Sequence, residues 1–100
     1  MEVKIENNGT TTIVKIIGRL DTVNSGQFEK DITPVKESDM KDVILDCSEF
    51  QYISSSGLRQ FLTLQKTAQA KGGKMRIKNM KEDIKKVFDI TGFTQLFDFI

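Results

Sequence analysis

A chain of 100 residues, 38% hydrophobic and 29% charged, has the size and make-up of one globular domain with a single modest core. Its formal net charge of +1 gives no general attraction to nucleic acid or anionic membrane. With no histidine and one cysteine, Cys47, it excludes Ser-His-Asp and Cys-His nucleophile systems, His-based zinc or haem sites and an internal disulfide.

In chain order, Val3 to Ile5 reads as a short strand and Asn7-Asn8-Gly9 as a turn. Thr11 to Ile17 is β-branched almost throughout, a strong strand signal. From Thr22 or Asn24 to about Lys36, Phe28, Ile32 and Val35 recur at helical spacing, with Pro34 expected to kink the helix or end it early. Asp42 to Cys47 is apolar enough to predict a central strand covered on both faces, with Cys47 as a small core residue. Ser54 to Lys71 is the clearest helix, with Leu58, Phe61 and Leu62 as a stripe continued by Ala68 and Gly72 as its stop. Met75 and Ile77 alternate with Lys74, Arg76 and Lys78 as a strand with one exposed face. Lys81 to Ile90 predicts a short helix with Ile84, Val87 and Phe88 inward, stopped at Gly92, and Leu96 to Ile100 a last strand.

Two strands followed by helix-strand alternation predict an α/β fold with a mixed sheet, helices mainly on one face, and a first hairpin left partly exposed. No apolar run approaches the roughly 20 residues of a membrane span, and the N-terminal residues carry no signal-peptide apolar region, so a cytoplasmic location and no membrane partner are expected. Gly72-Gly73-Lys74 lacks the earlier glycine and following Ser/Thr of a P-loop, and the Gly-x-Ser-x-Gly elbow is missing. No enzymatic activity, cofactor or metal is expected. The lysines and Arg76 between residues 71 and 86, against an acidic stretch at 29–49, read as solvated faces. Aromatic residues are not interleaved with them, so no direct nucleic-acid contact is expected.

Most of the information lies in Tyr52-Ile53-Ser54-Ser55-Ser56-Gly57-Leu58-Arg59. A serine cluster where a loop enters a helix is a poor place for core packing. It is a good one for a phosphate, because free N–H groups and the helix dipole favour an anion there. Ser54 is placed to be the N-cap. At about 100° per residue Ser54 lies near the Leu58–Leu62 stripe, Ser55 at its flank, and Ser56 points away. That geometry alone does not choose between Ser55 and Ser56. Gly57 inside the first turn costs about 0.5–1 kcal/mol relative to alanine, which suggests close approach of something such as a partner's backbone.

These residues resemble the STAS family, the sulfate transporter and anti-sigma factor antagonist domains, over essentially all of residues 1–100. Gly18-Arg19-Leu20-Asp21 resembles the family's G-x-L-D after the second strand, and Val43 to Asp46 the strand leading to the site. Tyr52 to Leu58 resembles the segment in which an aspartate or serine precedes Ser, a small residue, Gly and Leu. Lys85 to Phe93 resembles the late V-x-x-x-F-x-x-x-G helix. The chain departs from the pattern at Ser54, where many phosphorylated members carry aspartate. It also departs at Ile100, where many relatives continue into a C-terminal helix.

The resemblance implies an anti-sigma factor antagonist. Unphosphorylated, it binds an anti-sigma factor with serine kinase activity and releases a sigma factor. Phosphorylation switches it off, and a PP2C-type phosphatase restores it. By the family pattern the phosphoacceptor is Ser55, and the partner surface is Asp21, Thr22, Ser54, Ser55, Ser56, Gly57, Leu58 and Arg59. The alternative within the fold is a non-phosphorylated STAS subunit of a lipid or anion transport complex. A small nucleotide hydrolase or transferase is disfavoured by the missing histidine, P-loop and paired carboxylates.

Overall fold

The computed structural model describes residues 1–39 and 41–100. The β-branched run after Gly9 forms the long strand β2 (Thr11–Leu20), which pairs antiparallel with β1 (Glu2–Asn8). There follow α1 (Ser25–Glu37), β3 (Asp42–Asp46), β4 (Phe50–Ile53), α2 (Ser55–Ala70), β5 (Met75–Lys78), α3 (Glu82–Thr91), a 3₁₀ turn (Thr94–Leu96) and β6 (Asp98–Phe99). The described residues thus form an α/β domain with a six-stranded mixed sheet in the order β1-β2-β3-β5-β6. β2, β3, β5 and β6 are successively parallel, and β4 runs parallel to the last residues of β2.

Alternation in the strands puts one sheet face into the core. Val14, Ile16 and Leu20 of β2, Val43 and Leu45 of β3, and Met75 and Ile77 of β5 are buried there. Against them pack Phe28, Ile32 and Val35 of α1, Leu58, Phe61, Leu64 and Ala68 of α2, and Ile84 and Phe88 of α3. Phe61 is the hub. Its ring centroid lies 6.0 Å from Phe28, 5.8 Å from Phe50 and 6.2 Å from Phe88, tying α2 to both other helices and to β4. The start of α2 is thereby fixed over the carboxyl ends of β2 and β4.

Several expectations are corrected. β3 is central, but the helices cover one of its faces only. Val43 and Leu45 are buried while Asp42, Ile44 and Asp46 stay half-buried, shielded sideways by β2 and β5. α1 does not end at Pro34 but runs on to Glu37. Pro34 falls in its last turn, where the missing N–H removes a single helical bond while Ser38 and Lys71 satisfy the terminal carbonyls. In α2 the buried stripe is Leu58, Phe61, Leu64 and Ala68, with Leu62 on its half-buried flank. The last strand shrinks to Asp98–Phe99 because Thr94 to Leu96 coil into the 3₁₀ turn. α3 ends as expected at Gly92, which adopts φ 77°, a left-handed conformation that glycine takes without steric cost.

Candidate partner-binding site

The site is built from two chain segments leaving parallel neighbours. Leu20 of β2 pairs with Ile53 of β4, and the Ser54 N–H donates to Leu20 O at 2.8 Å. The Asp21–Asn24 loop and the first turn of α2 therefore emerge side by side at the carboxyl end of the sheet. Ligand sites in parallel sheets favour this location, because two diverging chain segments meet there.

Each segment holds its own shape. Asp21 Oδ1 accepts from Val23 N–H at 3.0 Å and Asn24 N–H at 3.1 Å, an Asx turn. Asn24 returns the bond, its Oδ1 accepting from Asp21 N–H at 2.9 Å while its Nδ2 donates to Arg19 O at 2.8 Å. Thr22 and Val23 are pushed outward at the tip, and Val23 is 94% exposed. On α2, Ser54 has φ −91° and ψ 172°, and its Oγ accepts from Gly57 N–H at 3.2 Å, the expected N-cap.

The three serines now separate. Ser54 and Ser56 share a hydroxyl–hydroxyl hydrogen bond of 2.9 Å, and both are part-buried. Ser56 therefore turns back to the cap instead of pointing away as helical spacing alone suggested. Ser55 is the exposed one. Arg59 is also exposed, one turn further along α2.

Two residues expected on the partner surface do not reach it. Gly57 is buried, and Leu58 is 2% exposed and belongs to the core. The close approach that explains Gly57 comes from within the chain. A Cβ there would lie 2.9 Å from Leu20 Cγ and 2.9 Å from Ile53 Cγ1, so glycine lets α2 settle onto the β2–β4 pair.

Three neighbours lie outside the expected partner surface: Val23, and the motif residues Tyr52 and Arg19. Arg19 and Tyr52 face each other across β2 and β4, with the guanidinium 4.3 Å from the ring centroid. Tyr52 remains 38% exposed. An apolar residue set between polar neighbours in a loop, as Val23 is, was the available signal.

Electrostatics around the strand ends are local. Lys15 Nζ lies 2.7 Å from Glu49 Oε2. That hydrogen bond raises the lysine and holds the glutamate below its ordinary range. Burial pushes the Asp46 carboxyl up, but hydrogen bonds from Ser48 and Asn79 and the charge of Lys78 outweigh it, and it titrates low. Burial pushes the Cys47 thiol up to about 12, so at neutral pH it is an inert core group. Among the described residues no His, Cys, Asp and Glu cluster could hold a metal, and no helix is long and apolar enough to cross a membrane. A groove of about 490 Å³ between α2 and β5, lined by Gln65, Gln69 and Lys74 among others, shares no residue with the serine turn. The serine turn, the Asp21 loop and the adjoining strand ends offer an outward surface of hydroxyls, the guanidiniums of Arg19 and Arg59, and two apolar groups, Val23 and the Tyr52 ring.

Residues 2–100 match the STAS domain. The chain is 30% identical to a candidate anti-sigma factor antagonist, BtrV of Bordetella bronchiseptica, over 80% of this chain and 69% of that protein. It is 27% identical to the anti-sigma-B factor antagonist of Bacillus subtilis, over 98% of this chain and 89% of that one. Its fold is similar to that of the anti-sigma factor antagonist SpoIIAA in its unphosphorylated form, with TM-score 0.75 and 19% identity over 99% of this chain and 87% of the other. The phosphorylated form of SpoIIAA, from Bacillus, gives TM-score 0.74 and 20% identity over 99% and 91%. The chain belongs to the STAS domain family, alongside relatives named as anti-sigma factor antagonists.

Proposed function

We propose that this protein is an anti-sigma factor antagonist controlled by phosphorylation of Ser55. Unphosphorylated, it binds an anti-sigma factor with serine kinase activity and so frees a sigma factor. That kinase inactivates it by transferring phosphate to Ser55, and a PP2C-type phosphatase reverses the modification. The observation that carries this reading is the division of labour in the serine turn. Ser54 and Ser56 are engaged with each other and with the helix cap, whereas Ser55 is exposed. The likeness to SpoIIAA, solved with and without phosphate, supports it.

In this reading the partner docks on the Asp21–Val23 tip, Tyr52, Ser55 and Arg59, while Gly57 and Leu58 set the position of α2 beneath them. Phosphate on Ser55 adds about −1.5 to −2 charge at a helix N-terminus. Within the free protein that placement is neutral or stabilising, by about 0.3–1 kcal/mol, through the dipole and the N–H groups of the first turn. Arg59, one turn on, supplies a counter-charge. Against a docked partner the same group brings a desolvation cost and like-charge repulsion. Inhibition is then local and leaves the fold intact.

The test is incubation with ATP and the anti-sigma kinase of the same organism, followed by mass spectrometry of the peptide spanning the serine turn. A single phosphate on Ser55 is expected. Phosphate on Ser54 or Ser56 overturns the assignment, and no transfer at all supports the transport-subunit alternative.

A further inference from the structure

The sheet has one long uncovered edge. β1 is its terminal strand and pairs with β2 in unbroken register from Glu2 opposite Ile17 to Asn8 opposite Thr11. Its other side presents seven residues of backbone with no proline and no bulge. The opposite edge, β6, is only two residues long. Natural sheets usually blunt such an edge, because its unpaired N–H and C=O groups invite another strand. The side chains of β1 specify which strand fits. Alternation places Glu2, Lys4 and Glu6 on the open face of the sheet and Val3 and Ile5 on the helix side, where Ile5 borders a notch with Pro34 and Val35 of α1. Ile5 is 40% exposed.

We infer that β1 docks against β1 of a second copy of this chain, antiparallel, joining two six-stranded sheets into one across a two-fold axis at Ile5. Keeping the helices of both copies on the same face requires residues of like parity to pair. Centring the axis on Lys4 sets Lys4 against Lys4 and Glu2 against Glu6, all like charges. Centring it on Ile5 sets Lys4 against Glu6 twice, Glu2 against Asn8 twice, Val3 against Asn7 twice and Ile5 against itself, so that no like charges meet and the whole strand is used. The partially exposed Ile5 side chains then meet at the axis, between the two α1 helices. The interface is isologous and closes as a dimer. It leaves Ser55 and the Asp21 loop uncovered, so dimerisation is separable from partner binding.

Sedimentation velocity tests the pairing through its charges. The wild-type protein is expected to dimerise. Lys4→Glu and Glu6→Lys each replace two attractive cross-strand pairs by two repulsive ones and should each weaken the dimer about tenfold or more. Mixing the two single variants restores opposite charges across the axis, as does combining them in one chain, and either should recover the dimer. Circular dichroism checks that every variant remains folded. A wild-type protein that stays monomeric at about 100 µM, where an association of useful strength populates the dimer, overturns the inference. So does a dimer that the single variants leave unchanged, or one that neither the mixture nor the double variant restores.

Discussion

The backbone N–H of Ser54 donates to the carbonyl of Leu20 at 2.8 Å, and this bond closes the pairing of β4 with β2 at the point where both strands end. It fixes the residue before the exposed serine against the residue before Asp21. Two loops far apart in the chain thus become one surface through a backbone bond, beside which the Arg19 guanidinium stacks on Tyr52.

The cap can be separated from the proposed switch. Ser54→Ala removes the acceptor for Gly57 N–H and the partner of the Ser56 hydroxyl, and should cost about 0.5–2 kcal/mol in urea unfolding. Ser54→Asp keeps a capping oxygen and adds a charge favourable at a helix start, so it should retain most of the stability. Equal losses in the two variants would show that capping is not what Ser54 contributes.

Gly57→Ala sets two effects against each other. Alanine gains about 0.5–1 kcal/mol of helix propensity, but its Cβ meets Leu20 and Ile53 at 2.9 Å. Overpacking of this kind costs about 1–3 kcal/mol, so the net expectation is a loss of about 1 kcal/mol and a melting temperature lower by about 5 °C. A rise in melting temperature contradicts the packing account of this glycine.

Val23 distinguishes binding from folding. At 94% exposure it contributes little to the core, so Val23→Asp should alter stability by less than about 0.5 kcal/mol. If the loop tip anchors the partner, the same change weakens binding of the anti-sigma factor about tenfold or more by calorimetry. Unchanged affinity removes Val23 from the interface.

Cys47 governs part of the alkaline behaviour. Its folded-state pKa is raised from the ordinary 9.0 to about 12, so the folded protein keeps a proton that the unfolded chain releases. The resulting stability is fully present below pH 9.0 and is lost as pH rises toward about 12. The slope is about 1.4 kcal/mol per pH unit, or about 2 kcal/mol by pH ~10.5. Cys47→Ala should lower stability at neutral pH through lost packing yet flatten this alkaline decline. Parallel pH profiles for the two proteins would rule out the thiol as its source.

Elements with a clean period were legible in the sequence, and those broken by tertiary geometry were not. β2, α2 and α3 declare themselves through β-branching or helical spacing, and the fold class and the Ser54 cap follow from them. β4 did not. Gly18 pairs with Phe50 but Arg19 pairs with Tyr52, so Gln51 is an extra residue. That bulge turns both Phe50 and Ile53 inward and leaves Gln51 and Tyr52 outside, an in-out-out-in pattern that reads as neither strand nor helix. The reason for Gly57 was hidden likewise, because Leu20 presses on it from a distant part of the chain. Ser56 looked free on a helical wheel, since the wheel does not show its hydroxyl bonded back to Ser54. Val23 carried a faint signal, an apolar residue among polar loop neighbours, but its outward placement follows from the Asx turn of Asp21 and the bond from Asn24 to Arg19 that shape the loop around it.

The most direct test of the central claim compares the affinity of the anti-sigma factor for the unmodified protein and for protein phosphorylated on Ser55, with thermal melting run on both. The expected result is a loss of two or more decades in affinity, about 2.7 kcal/mol or more, with a melting temperature unchanged or slightly raised because the phosphate sits at the start of α2. Affinity that survives phosphorylation, or a melting temperature that falls markedly, contradicts a switch acting by local repulsion at Ser55.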